Sequence, residues 1–136
     1  ASIFMGDTGS LFLGFMLAAL GIKLRFPANI DAVTWMAPVL VLGVPIFDTT
    51  LVVFSRIRRG LHPVTAGKDH TSHRLVRLGF TQREAVMILY LVGGMLGMVA
   101  VLVTQANLVE AYLLGGTVFL VAGYSIWRLE KIPLDG

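Results

Sequence analysis

The chain has 136 residues, of which 56% are hydrophobic and 14% are charged, and its formal net charge is +3. Its mean hydropathy is +0.80. A soluble domain carries about a quarter charged residues, so this composition argues against a soluble enzyme and indicates a membrane protein. The chain contains no cysteine, which excludes a disulfide scaffold, a thiolate zinc site, an iron-sulfur cluster and a cysteine nucleophile.

Four apolar stretches divide the chain, and their lengths predict membrane spans. They cover approximately residues 11–25, 32–54, 85–104 and 108–127. A helix of about 20 residues matches a hydrocarbon core of about 30 Å. The first stretch is short and reaches this length only with an added turn or with snorkelling of Lys23 and Arg25. We therefore predict an all-α integral membrane protein with four transmembrane helices.

The basic residues predict the orientation of the spans. Short loops rich in lysine and arginine stay on the cytoplasmic side of a membrane, and the loop 55–83 holds seven of the eleven basic residues. With this loop inside, alternating spans also place residues 1–10 and the end of the fourth span inside. Because topology accounts for the basic charge, nucleic acid is not an expected partner.

Local signals indicate where the last two spans begin. Thr81 with Glu84, and Asn107 with Glu110, have the spacing of a capping box, in which side chains at a helix start bond reciprocally to backbone amides. We expect the third and fourth spans to begin at these residues.

Prolines and glycines interrupt the second and third spans. Pro38 and Pro45 each remove a backbone donor and Gly43 loosens the same region, so the second span is expected to bend. Gly93 and Gly97 in the third span form a G-x-x-x-G motif, which permits close helix contact. Packing within the chain is the favoured interpretation, and a dimer contact is the alternative.

Residues 5–10, at the start of the first span, form the first polar cluster. Asp7 is flanked by glycines and followed by the hydroxyls of Thr8 and Ser10. A carboxylate in such a setting suits a hard cation, because Mg²⁺ typically takes one or two protein carboxylates and completes its shell with water and phosphates. The alternative is that Asp7 or Ser10 only caps the helix. The Asp-Thr-Gly-Ser string also matches aspartic proteases, but a leucine-rich helix follows it instead of the required strand.

The second polar cluster is the centre of the loop 55–83. If Asp69 caps a short amphipathic helix that ends at Gly79, then His70, His73, Arg74 and Arg77 share one face. A helix start with imidazoles and guanidiniums suits a phosphate group. The alternative is a basic helix on anionic lipid headgroups, which explains the arginines but not the histidines. Two histidines without further ligands do not make a zinc site.

Asp48 is the third residue of interest because it lies in an apolar run near the inner end of the second span. A charge in a membrane span is costly and normally faces a partner or a polar cavity. Pairing with a nearby arginine and a role in an active site are both open.

Four segments together resemble one enzyme family: residues 4–11 (FMGDTGSL), 44–49 (VPIFDT), 60–63 (GLHP) and 69–75 (DHTSHRL). Their order and predicted topology are similar to those of the polyprenyl-phosphate N-acetylhexosamine-1-phosphate transferases, in particular the N-acetylglucosamine branch. The motifs cover roughly residues 3–90, whereas the last two spans contribute hydrophobicity only.

The resemblance implies Mg²⁺-dependent transfer of a sugar 1-phosphate from a UDP-N-acetylhexosamine to polyprenyl (undecaprenyl) phosphate, at the cytoplasmic face of a bacterial membrane. UMP leaves, and the product feeds cell wall biogenesis. Asp7 resembles the family's metal-binding aspartate, with Mn²⁺ as an alternative ion, and His70 and His73 resemble its histidines beside the nucleotide diphosphate. A homodimer is a further family-level expectation. The candidate substrate contacts are Arg74, Asp48, Ser10 and Lys68.

The sequence departs from the family pattern in two places. Relatives carry adjacent aspartates on earlier helices, and no Asp-Asp pair occurs here; Ser72 stands where many relatives have another histidine. We therefore expect the chain to be the C-terminal portion of a longer enzyme and to be inactive alone. The alternative from another class is a non-enzymatic membrane scaffold or anionic-lipid-binding module.

Overall fold

The computed structural model describes residues 6–23, 31–63, 67 and 69–132. Within these residues all regular secondary structure is helical. The helices are α1 (Gly6–Lys23), α2 (Asp31–Val41), α3 (Gly43–Arg58), α4 (Thr71–Arg77), α5 (Gln82–Gln105) and α6 (Leu108–Glu130). The predicted all-α class is confirmed.

The longer helices are those of a membrane protein. α5 and α6, with 24 and 23 residues, are each long and apolar enough to cross a bilayer, and α2 with α3 passes the same test as a bent pair. The apolar part of α1, Thr8–Lys23, is shorter than a full span. Among the described residues, two helices are thus long enough to span a membrane, and α2 with α3 gives a third span if the bent pair crosses as one. A transmembrane span at α1 stays a prediction.

The second predicted span bends by 74° between α2 and α3. The bend follows the proline pattern, because Pro38 lies inside α2 and Pro45 lies in the first turn of α3, where a missing amide is tolerated. Leu42 lies at the break, and its amide still donates to the Pro38 carbonyl at 3.0 Å. The expected bend is therefore confirmed.

A small apolar core joins α2, α5 and α6 at the end of the bundle where α5 finishes and α6 starts. Its buried members are Val33, Ala37, Leu40, Ala100, Val103 and Ala111. Half of them are alanines, and small residues let helices approach closely in lipid. Most large apolar side chains elsewhere on the helices are exposed, as expected for surfaces that face lipid.

Of the two glycines in the G-x-x-x-G motif of the third predicted span, one lies close to another helix of the chain. A Cβ added at Gly93 would lie 3.8 Å from Val44 of α3, whereas one added at Gly97 would meet no atom of the described chain within 4 Å. The intrachain interpretation therefore holds for Gly93, and the homodimer stays a prediction.

The helix starts and ends follow local sequence signals. Both capping boxes are present, at Thr81 with Glu84 and at Asn107 with Glu110. Gly60 and Gly79 end α3 and α4 with φ of +69° and +101°. In both turns the amide after the glycine donates to the carbonyl five residues back, which is the Schellman arrangement. The predicted starts of the third and fourth spans are confirmed, and Gly79 closes α4 as expected.

Candidate active site at the polar end of the bundle

The C-terminal end of α3, the loop after it, α4 and the C-terminal end of α6 meet at one end of the bundle, which we call the polar end. Two contacts join α6 to α3 and α4. Arg58 Nη1 lies 2.7 Å from Glu130 Oε2, and Arg74 Nη1 donates to the Leu129 carbonyl at 2.6 Å. The loop 55–83 and the end of α6 therefore lie together, as the charge distribution predicts.

Arg74 is the buried centre of the polar end, with 0% of its surface exposed. Its Nε donates to the Asp69 carbonyl at 3.0 Å, its Nη1 to the Leu129 carbonyl at 2.6 Å and its Nη2 to Ser55 Oγ at 2.7 Å. Burial, together with the nearby charge of Arg59, lowers the pKa of this guanidinium, which still stays protonated.

This geometry corrects the expectation that Arg74 shares an exposed face with the histidines and clamps a phosphate. The side chain turns into the bundle because acceptors on α3 and at the C-terminal end of α6 lie there, where the helix dipole favours a cation. All three of its nitrogens donate to protein acceptors. Arg74 therefore joins three parts of the chain, and we no longer propose it as a substrate contact.

Asp69 is held by arginines and does not cap α4 as expected. Its Oδ2 lies 2.8 Å from Arg56 Nε and 3.3 Å from Arg59 Nη2. Burial alone would raise the pKa of Asp69, but the hydrogen bond from Arg56 and the charges of both arginines outweigh it and lower that pKa. His70 is the N-cap residue instead, and its own side chain makes no capping bond.

Asp48 connects α3 to the start of α4. Its Oδ2 lies 2.7 Å from His70 Nδ1, and its Oδ1 accepts from the Thr71 amide at 2.6 Å and from Thr71 Oγ1 at 2.7 Å. Of the two interpretations left open by the sequence, pairing with an arginine is not found among the described residues, where the side-chain partners of Asp48 are His70 and Thr71. Asp48 also accepts from the first amide of α4, which the side chain of His70 leaves unbonded.

Three side chains of α4 and its cap face outwards, and we call them the histidine face: His70, His73 and Arg77. The His70 side chain is 51% exposed although it contacts Asp48, and His73 and Arg77 are exposed. The opposite side of α4 is buried through Thr71 and Arg74. The two histidines predicted as site residues therefore lie on one accessible surface.

The other predicted site residues are described only in part. Asp7 lies in the first turn of α1, but its side chain lies outside the described residues, as does Lys68. The Ser10 hydroxyl donates to the Gly6 carbonyl at 3.2 Å, a bond within the same helix. Among the described residues no three His, Asp or Glu side chains come together as a metal site.

Sequence reasoning missed two polar residues of the site, Ser55 and Thr71. Each binds a charged side chain from another helix, Ser55 to Arg74 and Thr71 to Asp48. The signal for Ser55 was a small hydroxyl at the end of an apolar span beside arginines. Thr71 directly follows a histidine at a helix start, where a hydroxyl commonly makes a tertiary or capping contact.

Comparison with curated proteins finds N-acetylglucosamine 1-phosphate transferases that act on polyprenyl phosphates. The chain is 38% identical over 109 residues to a probable undecaprenyl-phosphate N-acetylglucosaminyl 1-phosphate transferase of Bacillus subtilis, covering 79% of this chain and 30% of that protein. It is 36% identical over 101 residues to a decaprenyl-phosphate N-acetylglucosaminephosphotransferase of Mycolicibacterium smegmatis, covering 67% of this chain and 25% of that protein. The chain belongs to the polyprenyl-phosphate N-acetylglucosamine-1-phosphate transferase family.

The similarity to this family reaches beyond the motifs. An undecaprenyl-phosphate alpha-N-acetylglucosaminyl 1-phosphate transferase of Yersinia pestis is 27% identical over 136 residues, which is 95% of this chain and 37% of that protein. The alignment therefore runs beyond residue 90 and into the last two spans. The chain spans about a third of the length of the curated relatives it matches. No family model and no solved structure matches it.

Proposed function

We propose that this chain forms part of an enzyme that transfers N-acetylglucosamine 1-phosphate from UDP-N-acetylglucosamine to a polyprenyl phosphate, with release of UMP. The observation that carries the proposal is the histidine face, held at the polar end of an apolar bundle by Asp48. The names of the relatives support the transfer and the lipid acceptor.

The chemistry requires two polyanions to approach each other. An oxygen of the polyprenyl phosphate attacks the sugar-linked phosphorus of the UDP-sugar, and the bond from that phosphorus to the UMP oxygen breaks. Catalysis then depends mainly on alignment and on neutralising charge. His70 and His73 present ring nitrogens outside the apolar part of the bundle, where a nucleotide diphosphate and a lipid phosphate can both reach them.

We further propose Asp7 as a ligand of Mg²⁺, with Mn²⁺ as an alternative. The donor set fits Mg²⁺ in one respect: this ion needs only one or two protein carboxylates when substrate phosphates complete its shell. The described residues contain no group of three such ligands, and a Mg²⁺ site of this kind does not require one. The ion would supply positive charge to the diphosphate oxygens.

The polar end faces the cytoplasm in this proposal, because the loop 55–83 carries most of the basic charge and such loops stay inside. Since the chain spans only about a third of its relatives, we propose that further acidic residues of the site lie in another part of the enzyme. The 136-residue chain alone is then expected to release no UMP, and turnover by the isolated chain would overturn this point.

The test is UMP release by the complete encoded protein in lipid nanodiscs with UDP-N-acetylglucosamine, undecaprenyl phosphate and Mg²⁺. We expect Asp7→Asn and His73→Ala to lower turnover at least about 100-fold, the scale of lost electrostatic or acid-base assistance. Arg83→Ala is the control, because it removes an exposed basic side chain of the same loop outside the histidine face and outside the four family segments, and it is expected to retain activity.

The competing function is a scaffold or anionic-lipid-binding module. It predicts that the complete protein releases no UMP, or that the Asp7 and His73 variants behave like the Arg83 control. Either result would overturn the transferase proposal, provided that a thermal unfolding transition shows the protein to be folded.

A further inference from the structure

We propose that Asp48 is a positioning residue that fixes the orientation and the tautomer of His70, so that one defined ring nitrogen, Nε2, faces the substrate diphosphate. The inference rests on the proposed function and adds to it a role for Asp48 other than contact with substrate. It is carried by the geometry of three residues, Asp48, His70 and Thr71.

The first step is that the Asp48 carboxylate cannot rotate freely. Its Oδ1 accepts two hydrogen bonds from Thr71, at 2.6 Å from the amide and 2.7 Å from the hydroxyl. With one oxygen so fixed, the other is aimed at His70 Nδ1 at 2.7 Å. The Asp48 side chain is 28% exposed and the His70 side chain is 51% exposed, so part of the ring stays accessible beside this contact.

The second step concerns the proton. A carboxylate accepts hydrogen bonds and does not donate them, so a bond at 2.7 Å to Nδ1 requires the proton to lie on Nδ1. Nε2 is then the nitrogen that faces outwards, and within the described chain it has no hydrogen-bond partner. A second interaction that fixes the tautomer of a functional histidine is a common arrangement in catalytic and metal sites.

The third step is that the frame behind the pair is rigid. The helix that begins next to His70 is tied down by Arg74, whose three nitrogens bind Ser55 Oγ and the carbonyls of Asp69 and Leu129. Arg74 is fully buried. The orientation of the His70 ring is therefore set by α3 and α6 as well as by its own backbone.

A purely structural role for Asp48 makes a different prediction. If the carboxylate served only to accept the first amide of α4, asparagine would replace it at little cost, because Asn and Asp are about equally good at such positions. If Asp48 sets the tautomer, asparagine is damaging. With its side-chain oxygen held by Thr71, the asparagine of the Asp48→Asn variant would turn an NH₂ donor towards His70 Nδ1, and this requires a lone pair there and the proton on Nε2.

The experiment compares wild type, Asp48→Asn, His70→Ala and the double variant in the complete encoded protein. We expect Asp48→Asn to lower kcat at least about 100-fold with less than a threefold change in KM for the UDP-sugar. In the double variant, Asp48→Asn is expected to lower kcat no further than His70→Ala alone, because the effects of two residues that act as a unit are not additive. Unchanged kcat in Asp48→Asn, or full additivity in the double variant, would overturn the inference.

A spectroscopic measurement separates this inference from the proposed function. With ¹⁵N-labelled histidine, the resonances that disappear in His70→Ala identify the ring nitrogens of His70. When the ring is neutral, wild type is expected to show the Nδ1–H tautomer and Asp48→Asn the Nε2–H tautomer. An Nε2–H tautomer in wild type would overturn the role of Asp48 whether or not the protein is a transferase. If the tautomers are as expected but the protein shows no turnover, the result counts against the transferase proposal and not against the role of Asp48.

Discussion

Arg74 Nη2 donates to Ser55 Oγ at 2.7 Å in a fully buried contact between α4 and α3. The same guanidinium reaches the carbonyl of Leu129, 55 residues further along the chain. One buried side chain of the short helix that carries the histidine face thus ties this helix to two others of the bundle. This relationship explains how a helix of 7 residues, too short to be stable alone, holds a defined position.

Replacing Arg74 is therefore expected to destabilise the polar end. Arg74→Ala removes the donor to the buried Ser55 hydroxyl and to the Asp69 carbonyl, whereas the Leu129 carbonyl still accepts from the Ile132 amide. A buried polar group left unpaired costs about 1–3 kcal/mol. We expect a loss of at least about 2 kcal/mol, measured as a lower thermal midpoint in detergent. Arg83→Ala, which removes an exposed arginine nearby, is the control. Equal midpoints for the two variants would contradict the structural role of Arg74.

The pairing of Asp69 with Arg56 and Arg59 predicts a dependence of stability on acid. The pKa of Asp69 is lowered from 3.8, so its contribution to folding is present above that value. It is lost as the pH falls through the lowered pKa of the folded state. The thermal midpoint of wild type is expected to fall more steeply than that of Asp69→Asn across this acid range. Parallel pH profiles for the two proteins would show that the ion pair adds no stability.

Gly60 and Gly116 are expected to respond to alanine in opposite directions. Gly60 has a φ of +69°, and a Cβ added there meets no atom within 4 Å, so the cost of Gly60→Ala is conformational, about 1–2 kcal/mol. Gly116 lies in the middle of α6 with equally open space for a Cβ, and alanine there is expected to be neutral or stabilising. Thermal unfolding of both variants decides this, and a neutral Gly60→Ala would rule out the turn as described.

Metal removal tests the proposed role of Asp7. Chelation by EDTA is expected to abolish turnover of the complete protein, and added Mg²⁺ or Mn²⁺ to restore it. Asp7→Asn weakens one ligand, so any remaining activity should need at least about tenfold more Mg²⁺, as is typical when a metal site loses part of its support. A metal-independent enzyme, or an unchanged Mg²⁺ requirement in Asp7→Asn, would exclude Asp7 as a ligand.

Local features of the fold could be predicted because their causes lie within a few residues. The capping boxes at Thr81 and Asn107 depend on a partner three residues away. The bend in the second span follows from Pro38 and Pro45, and Gly79 ends α4 through its own φ. None of these depends on a distant part of the chain.

The site was predicted less completely, because its geometry depends on contacts between distant segments. The position of Arg74 is decided by Ser55 and by the end of α6, and helical spacing alone placed it on the wrong side of α4. Asp69 has the residue type of a helix cap, but Arg56 and Arg59 compete for its carboxylate. The contact of Asp48 with His70 joins residues 22 positions apart, and no local pattern indicates it.

The most direct test of the account follows the sugar-linked phosphorus itself. UDP-N-acetylglucosamine labelled with ³²P at the β position is incubated with undecaprenyl phosphate, Mg²⁺ and the complete encoded protein, and the lipid and aqueous phases are counted. The account predicts label in the lipid phase and an equal amount of unlabelled UMP, with both lost in His73→Ala and retained in Arg83→Ala. Label that stays in water as UDP, or label transfer unaffected by His73→Ala, would contradict it.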